Sequence, residues 1–192
     1  MSHAPRQVVF FLEEESAQAM LEIVFARLGP PQGVEPRFVT FDGKQDLEQQ
    51  LLGKLRGYLN PNARFVIIRD KDREDCLEVK GRLKKICRAA RRPEAVVRIA
   101  CHELEAFYLG DLQAVETGLN LRGVARLQHK AVYRNPDAVV SPSSHLAKIT
   151  KQRYQKVAGS RAIAPHLELT NPRSRSFQHL IASIRLAFRQ LS

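Results

Sequence analysis

Acidic side chains arrive in two bursts, each at the end of an apolar run. FVIIRDKDRED, Phe65 to Asp75, delivers Asp70 and Asp72 after β-branched and aromatic residues, and VVFFLEEES, Val8 to Ser16, delivers Glu13 in the same way. Carboxylate oxygens in a segment without Cys or His, such as DKD, favour Mg²⁺ or Mn²⁺ over zinc. Such an ion activates a water or hydroxyl nucleophile and neutralises charge on a transferring phosphoryl group. Asp70 and Asp72 are two apart, so they share an ion only if the chain turns there, as a strand end permits. The competing reading is a helix start, where Asp caps free amides and acids suit the helix dipole. That reading is preferred for Asp75 and, as first-turn acids, for Glu14 and Glu15; Glu13 closes the strand and is the candidate ligand.

The elements that must carry these residues alternate between short apolar runs and amphipathic stretches. Strands are expected over Gln7–Leu12, Arg37–Phe41, Phe65–Arg69 and Ala95–Ala100, with helices over Ser16–Leu28, Lys44–Tyr58, Asp75–Ala90 and His102–Leu109. The second helix turns Leu47, Leu51, Leu52, Leu55 and Leu59 to one side, and the third turns Leu77, Leu83, Ile86 and Cys87 inward. Strands separated by helices imply a parallel sheet through right-handed crossovers, with ligands at the carboxyl ends of the strands. Both acidic bursts fall at such ends.

Beyond Gly110 the periodicity weakens to a first helix, an irregular stretch and three later helices. Ser143 or Ser144 is expected to cap one through Leu146–Ile149, a second spans Arg161–Leu167, and Ser176–Leu191 is the clearest. The expected organisation is an α/β domain over residues 1–110 and a basic helical lobe over 111–192 packed on it. The charge supports such a division. Met1–Leu121 balances 18 Lys and Arg against 18 Asp and Glu, whereas the last 71 residues hold 13 Lys and Arg against Asp137 and Glu168 alone, which accounts for the whole net +11. A carboxylate half beside a basic half suits a metal site next to a surface for polyanions; a solvated basic face or an acidic protein partner would look the same.

Composition excludes other classes. With 44% hydrophobic and 27% charged residues, the chain is of ordinary globular type. No apolar run nears the roughly 18–20 residues of a membrane span, and acids come too early for a signal peptide, so a cytoplasmic location is expected. Cys76, Cys87 and Cys101, odd in number and widely spaced, fit reduced thiols rather than zinc pairs. No Gly-x-x-x-x-Gly-Lys-Ser/Thr segment is present, so ATP hydrolysis by this chain is not expected.

Weaker candidates remain. Gly43 and Lys44 open the second helix, where amides and a cation could meet phosphate, or form a plain turn. Lys148, Lys151, Arg153, Lys156, Arg161, Arg173 and Arg175, interleaved with Tyr154 and Phe177, could supply sequence-independent backbone contacts. His102, Glu103, Glu105 and Asp111 form a third acidic group, which also reads as a surface helix packed through Leu104, Phe107 and Tyr108.

The ordered set FLEEES, FDGKQDL, IIRDKDRED, RIACHELEAFYLGD and NPRSRSF resembles a bacterial family of unknown function with a TOPRIM-like domain, related to the overcoming-lysogenization-defect nucleases. The resemblance implies a TOPRIM-like parallel sheet of about four strands. By it, Glu13 matches a strand-end Glu acting in metal binding and acid/base work, Asp70 and Asp72 match the Asp-x-Asp ligands, and Glu105 matches a Glu near the metal. Asn171–Phe177 matches a motif near the sheet edge or the site, and is otherwise a turn and cap. TOPRIM proteins commonly place Gly after the strand-end Glu, and here Glu14 stands there. The implied activity is Mg²⁺- or Mn²⁺-dependent cleavage of nucleic acid, with a partner ATPase in phage defence; a homodimer is left open. The alternative is a non-catalytic module that binds nucleic acid or an ATPase. A haloacid-dehalogenase-like phosphatase is disfavoured, because Arg73 follows Asp72 where an apolar residue and then Thr or Val are needed.

Overall fold

Three apolar runs and a more polar edge segment pair side by side, because the backbones of buried strands can be satisfied only by neighbouring strands. In the computed structural model, which describes residues 4–170 and 173–192, they are β1 (Arg6–Leu12), β2 (Val34–Thr40), β3 (Ala63–Asp70) and β4 (Val96–Ala100). The sheet is parallel throughout, in the order β2-β1-β3-β4, with Leu12 opposite Thr40 and Ile68, and Asp70 opposite Ala100. The chain therefore leaves β1 toward one side and later returns to its other side as β3. The switch point of this sheet, where its ligands are expected, lies between β1 and β3.

The crossovers are α1 (Glu15–Arg27), α2 (Lys44–Gly57) and α3 (Cys76–Ala89). Side chains alternate along each strand, so Val8, Phe10, Leu12, Val66 and Ile68 join the core under α1, while Val9, Phe11, Phe65 and Ile67 join the core under α2 and α3. Two expectations about helix faces are corrected. Leu59 and Leu77 are 84% and 78% exposed; Leu59 lies past the end of α2, and Val79 takes the inward position expected of Leu77.

After β4 come α4 (Glu105–Leu109) and α5 (Leu112–Gly118), then short 3₁₀ turns, α6 (Pro142–Ile149), α7 (Lys156–Ile163) and α8 (Arg175–Leu191). α6 begins earlier than expected: Pro142 occupies its first turn and Ser141 precedes it in the left-handed conformation, so neither Ser143 nor Ser144 is its cap. The helix expected over Arg161–Leu167 is shifted, running as α7 and then a 3₁₀ turn at Ala164–His166. α7 packs on α1, and α8 lies across β4, β1 and β3, so one apolar core runs from the sheet into the C-terminal helices. No helix among the described residues is long and apolar enough to cross a membrane.

Candidate metal centre

β3 ends on Asp70, and strand alternation decides the surroundings of its last two residues. Arg69 turns to the α2/α3 face, where Glu74 and Glu48 stand 2.6 and 3.4 Å from its Nη2. Asp70 turns to the opposite face, toward the connection after β4, and its Oδ2 accepts from the Leu104 amide at 3.2 Å. Glu13, one residue beyond β1, accepts the Asp70 amide at 3.0 Å through Oε2. The two acids expected to share a site therefore meet at the switch point.

Their electrostatics are unfavourable as they stand. Burial, then the nearby charges of Glu13, Glu14 and Glu105, holds the Asp70 carboxyl well above the usual aspartate range. Burial likewise raises Glu13; the Asp70 amide and Arg69 lower it, and Asp72 and Glu14 raise it. Glu105 is completely buried, as are its neighbours in α4, which overturns the surface-helix reading of this segment. Its Oε1 accepts from the Tyr154 hydroxyl at 3.0 Å, its Oε2 has no partner, and burial raises its pKa. Gly159 makes that contact available, since a Cβ there would collide with the Tyr154 ring.

Asp72 is turned aside. Its backbone is left-handed at φ 53°, and its Oδ2 lies 2.6 Å from Lys44 Nζ. The turn is clamped to the β4 connection: the Asp72 amide donates to His102 O at 2.8 Å, and His102 Nδ1 lies 3.0 Å from Asp72 O. His102, itself at φ 64°, precedes α4 rather than starting it. Left-handed non-glycine residues cost free energy and gather where a loop must be aimed. Asp75 caps α3 by accepting the Leu77 and Glu78 amides at 2.8 and 3.0 Å, as preferred from the sequence.

Beside Glu13 an open cleft of about 330 Å³ is lined by Glu14, Asp42, Gly43 and Lys156. Glu14, beside Glu13, has local partners: the Ser16 hydroxyl and, at 2.8 Å, Lys156 from α7. The other basic candidates are dispersed. Lys148, Lys151 and Arg153 are exposed around the end of α6, and Lys151 and Arg153 line a groove of about 440 Å³ with Arg122. Arg173 and Arg175 flank Ser174, the cap of α8, and both are exposed; Asn171 and Pro172 of the same motif lie outside the described residues. Tyr154 and Phe177 do not interleave with the surface cations, because both are buried in the core.

The donor chemistry fits a hard divalent cation: only carboxylates are crowded here, one with an orphaned buried oxygen. Among the described residues, however, no three of His, Cys, Asp and Glu are gathered closely enough to hold a metal ion as they stand. The geometry thus unites Glu13 with Asp70, keeps Asp72 within electrostatic reach of Glu13, and sets Glu105 behind them on Tyr154. Sequence reasoning missed Arg69 and the Tyr154 contact, and it did not foresee that Lys44 and Lys156, candidates for nucleic-acid contacts, pair with Asp72 and Glu14.

A family profile described as a domain of unknown function (DUF4276) matches residues 12–185. The chain belongs to that family. Among solved structures, the C-terminal region of the Burkholderia pseudomallei OLD protein matches with a TM-score of 0.53 at 18% identity, covering 96% of this chain and 98% of that one. At that identity the likeness shows a shared fold, and the expected α/β architecture, a parallel sheet of four strands flanked by helices, is borne out for this DUF4276 chain. No curated protein matches the chain.

Proposed function

We propose that this DUF4276 protein cleaves phosphodiester bonds in nucleic acid with the help of Mg²⁺ or Mn²⁺ bound at the Glu13–Asp70 rim. The observation that carries the proposal is the burial of Asp70, Glu13 and Glu105 at the switch point, which raises all three carboxyls, with Asp70 raised further by the charges of Glu13, Glu14 and Glu105. A divalent cation would offset that effect and supply the Lewis acid that activates water and balances phosphoryl charge. Glu13, Asp70 and Asp72 are the residues that would hold it. Glu105, oriented by Tyr154, contributes a second carboxylate edge from behind, and Lys156 lines the same cleft as Glu13, where its ammonium can meet a substrate phosphate.

A second reading is favoured by one observation: Asp72 is occupied by Lys44, and the carboxylates are not gathered as they stand. On that reading the rim is a structural or relict site in a module that binds nucleic acid or an ATPase. Incubation with plasmid and single-stranded substrates under Mg²⁺ or Mn²⁺ separates the two. Nicking or degradation by the wild type and none by Asp70→Ala/Asp72→Ala supports the enzyme; identical behaviour with binding retained leaves the module. A partner ATPase and a role in phage defence rest on the family resemblance and would be tested by co-purification from a native operon host.

A further inference from the structure

The opposite end of the sheet carries a feature that the carboxylate rim does not use. α2 and α3 run back across the sheet, so they end together at the amino ends of the strands. There each helix is closed by an arginine from the other's segment: Arg56 of α2 donates through Nη2 to Ala89 O at 2.9 Å, and Arg92, beyond α3, donates through Nη2 to Tyr58 O at 2.6 Å. Arg92 is further fixed over the Phe65 ring at 5.2 Å. Cations at helix carboxyl ends are expected, and these two meet that need with a single Nη2 each. A guanidinium has five N–H groups, so most of each fork is left for something else.

The surrounding charge exceeds what two helix ends require. From Arg82 to Arg92 the chain holds Arg82, Lys84, Lys85, Arg88, Arg91 and Arg92 with no acid among them. Lys84, Lys85, Arg88 and Arg91 are exposed, as are Lys54 and Arg56 on α2. None of these six, nor Arg92, forms a salt bridge among the described residues; Glu94, exposed beyond Arg92, is the nearest acid in sequence. Between the two helix ends lies an open cavity of about 550 Å³ lined by Arg56, Ala90, Arg91 and Arg92.

Arg91 is the most telling of them. The end of α3 is a Schellman motif, with the Arg92 amide on Cys87 O and the Arg91 amide on Arg88 O, both at 2.9 Å. Its left-handed position, φ 60°, is held by Arg91, where glycine is the favoured residue. The sequence thus keeps a strained arginine at the mouth of an arginine-lined cavity, where strain marks a demand other than folding.

We infer that this end of the molecule is a second binding surface, for the phosphate backbone of nucleic acid, remote from the cleavage rim. The inference rests on the proposed action on nucleic acid. Arginine forks and helical lysines match a line of phosphates, and contacts of that kind carry affinity without sequence choice. The length of β3, eight residues, separates this surface from Asp70, roughly 26 Å at 3.3 Å per residue. A single duplex bridging both ends must therefore exceed roughly 8 base pairs at 3.4 Å per pair.

The test is fluorescence anisotropy in EDTA, so that cleavage plays no part, with a duplex DNA of about 30 base pairs and a single-stranded RNA of like length. Wild type is compared with Lys85→Gln/Arg88→Gln/Arg91→Gly and with Arg91→Gly alone, and thermal melting is followed alongside. The expected result is weaker binding of at least one probe by the triple variant, with the slope of log affinity against log salt reduced by about 2–3. Arg91→Gly should bind more weakly than wild type while melting at the same or a higher temperature, since it removes a charge and a strained backbone together. Unchanged affinity and slope in the triple variant, with wild type binding, overturn this inference and leave the proposed function standing. Wild type that binds neither probe overturns both. Vesicles of phosphatidylserine serve as the competing polyanion: loss of vesicle binding alone in the triple variant also overturns it.

Discussion

Two clusters of charge sit on opposite faces of the same strand end, and they have been settled in opposite ways. On the α2/α3 face both acids of the cluster have cations: Glu74 takes Arg69 at 2.6 Å and also Arg82, Glu48 lies 3.4 Å from both arginines, and the Glu74 carboxyl, held by those guanidiniums, is lowered to about 2. On the other face Asp70, Glu13 and Glu105 crowd one another, and their carboxyls are raised by burial. The matched acids Glu48 and Glu74 are partly exposed whereas the crowded set is more deeply buried, and on the function proposed above that set awaits a cation from solution. Matched charges support structure, and unmatched ones are candidates for chemistry.

The largest effect should come from breaking the crowded side. Asp70→Asn is expected to lower the Mg²⁺-dependent cleavage rate by at least about 100-fold, or ~2.7 kcal/mol of barrier, measured under single-turnover conditions. The same variant without metal should melt at a higher temperature than wild type, because a raised carboxyl pKa marks a charge that the folded state disfavours. A variant at once inactive and less stable would argue for an ordinary structural role.

The matched side should fail in the other sense. Glu74→Gln removes the closest partner of Arg69, whose side chain is only 2% exposed and already has Nε and Nη1 unpartnered. A loss of about 2–3 kcal/mol in urea unfolding is expected, less than for a fully isolated buried charge because Glu48 remains. Its metal-dependent activity should fall far less than that of Asp70→Asn.

Metal and pH sharpen the contrast further. Mg²⁺ at ten times its dissociation constant should stabilise the protein by about 1.4 kcal/mol, a rise of roughly 3–6 °C in melting temperature, and Asp70→Asn should abolish it. Without metal, the raised carboxyls of Asp70, Glu13 and Glu105 bind protons more tightly folded than unfolded. Stability should therefore increase as pH falls from 8 through their folded pKa values. Glu74 behaves oppositely: its contribution is present above the ordinary glutamate pKa and is lost as pH falls toward about 2. Melting curves should thus pass through a maximum on the acid side of neutrality, which Mg²⁺ moves upward in pH. The smallest effect is Lys44→Ala. Its pair with Asp72 is 39% and 37% exposed, and no more than about 0.5 kcal/mol of stability should be lost.

Much of this was legible in the sequence, for a physical reason. Apolar runs such as VVFFL and FVII admit one register of elements, so the carboxyl ends, and with them Glu13 and Asp70, could be placed from the sequence. Asp75 was legible as a cap because its role is local. What escaped depends on contacts far apart in the chain. Arg69 looked like a strand residue, yet alternation sends it to Glu48 and Glu74, and Tyr154 looked like a surface aromatic, yet it reaches Glu105 across 49 positions. Leu77 failed for a third reason: a leucine in the first turn of a helix fits the apolar period while its side chain still faces water.

The most direct test of the central claim is the binding of Mn²⁺ followed by electron paramagnetic resonance at pH 7.5. The account predicts that wild type and Glu74→Gln take up the ion with similar affinity, while Glu13→Gln/Asp70→Asn, folded by circular dichroism, does not. Equal uptake by all three proteins, or none by the wild type, would contradict it.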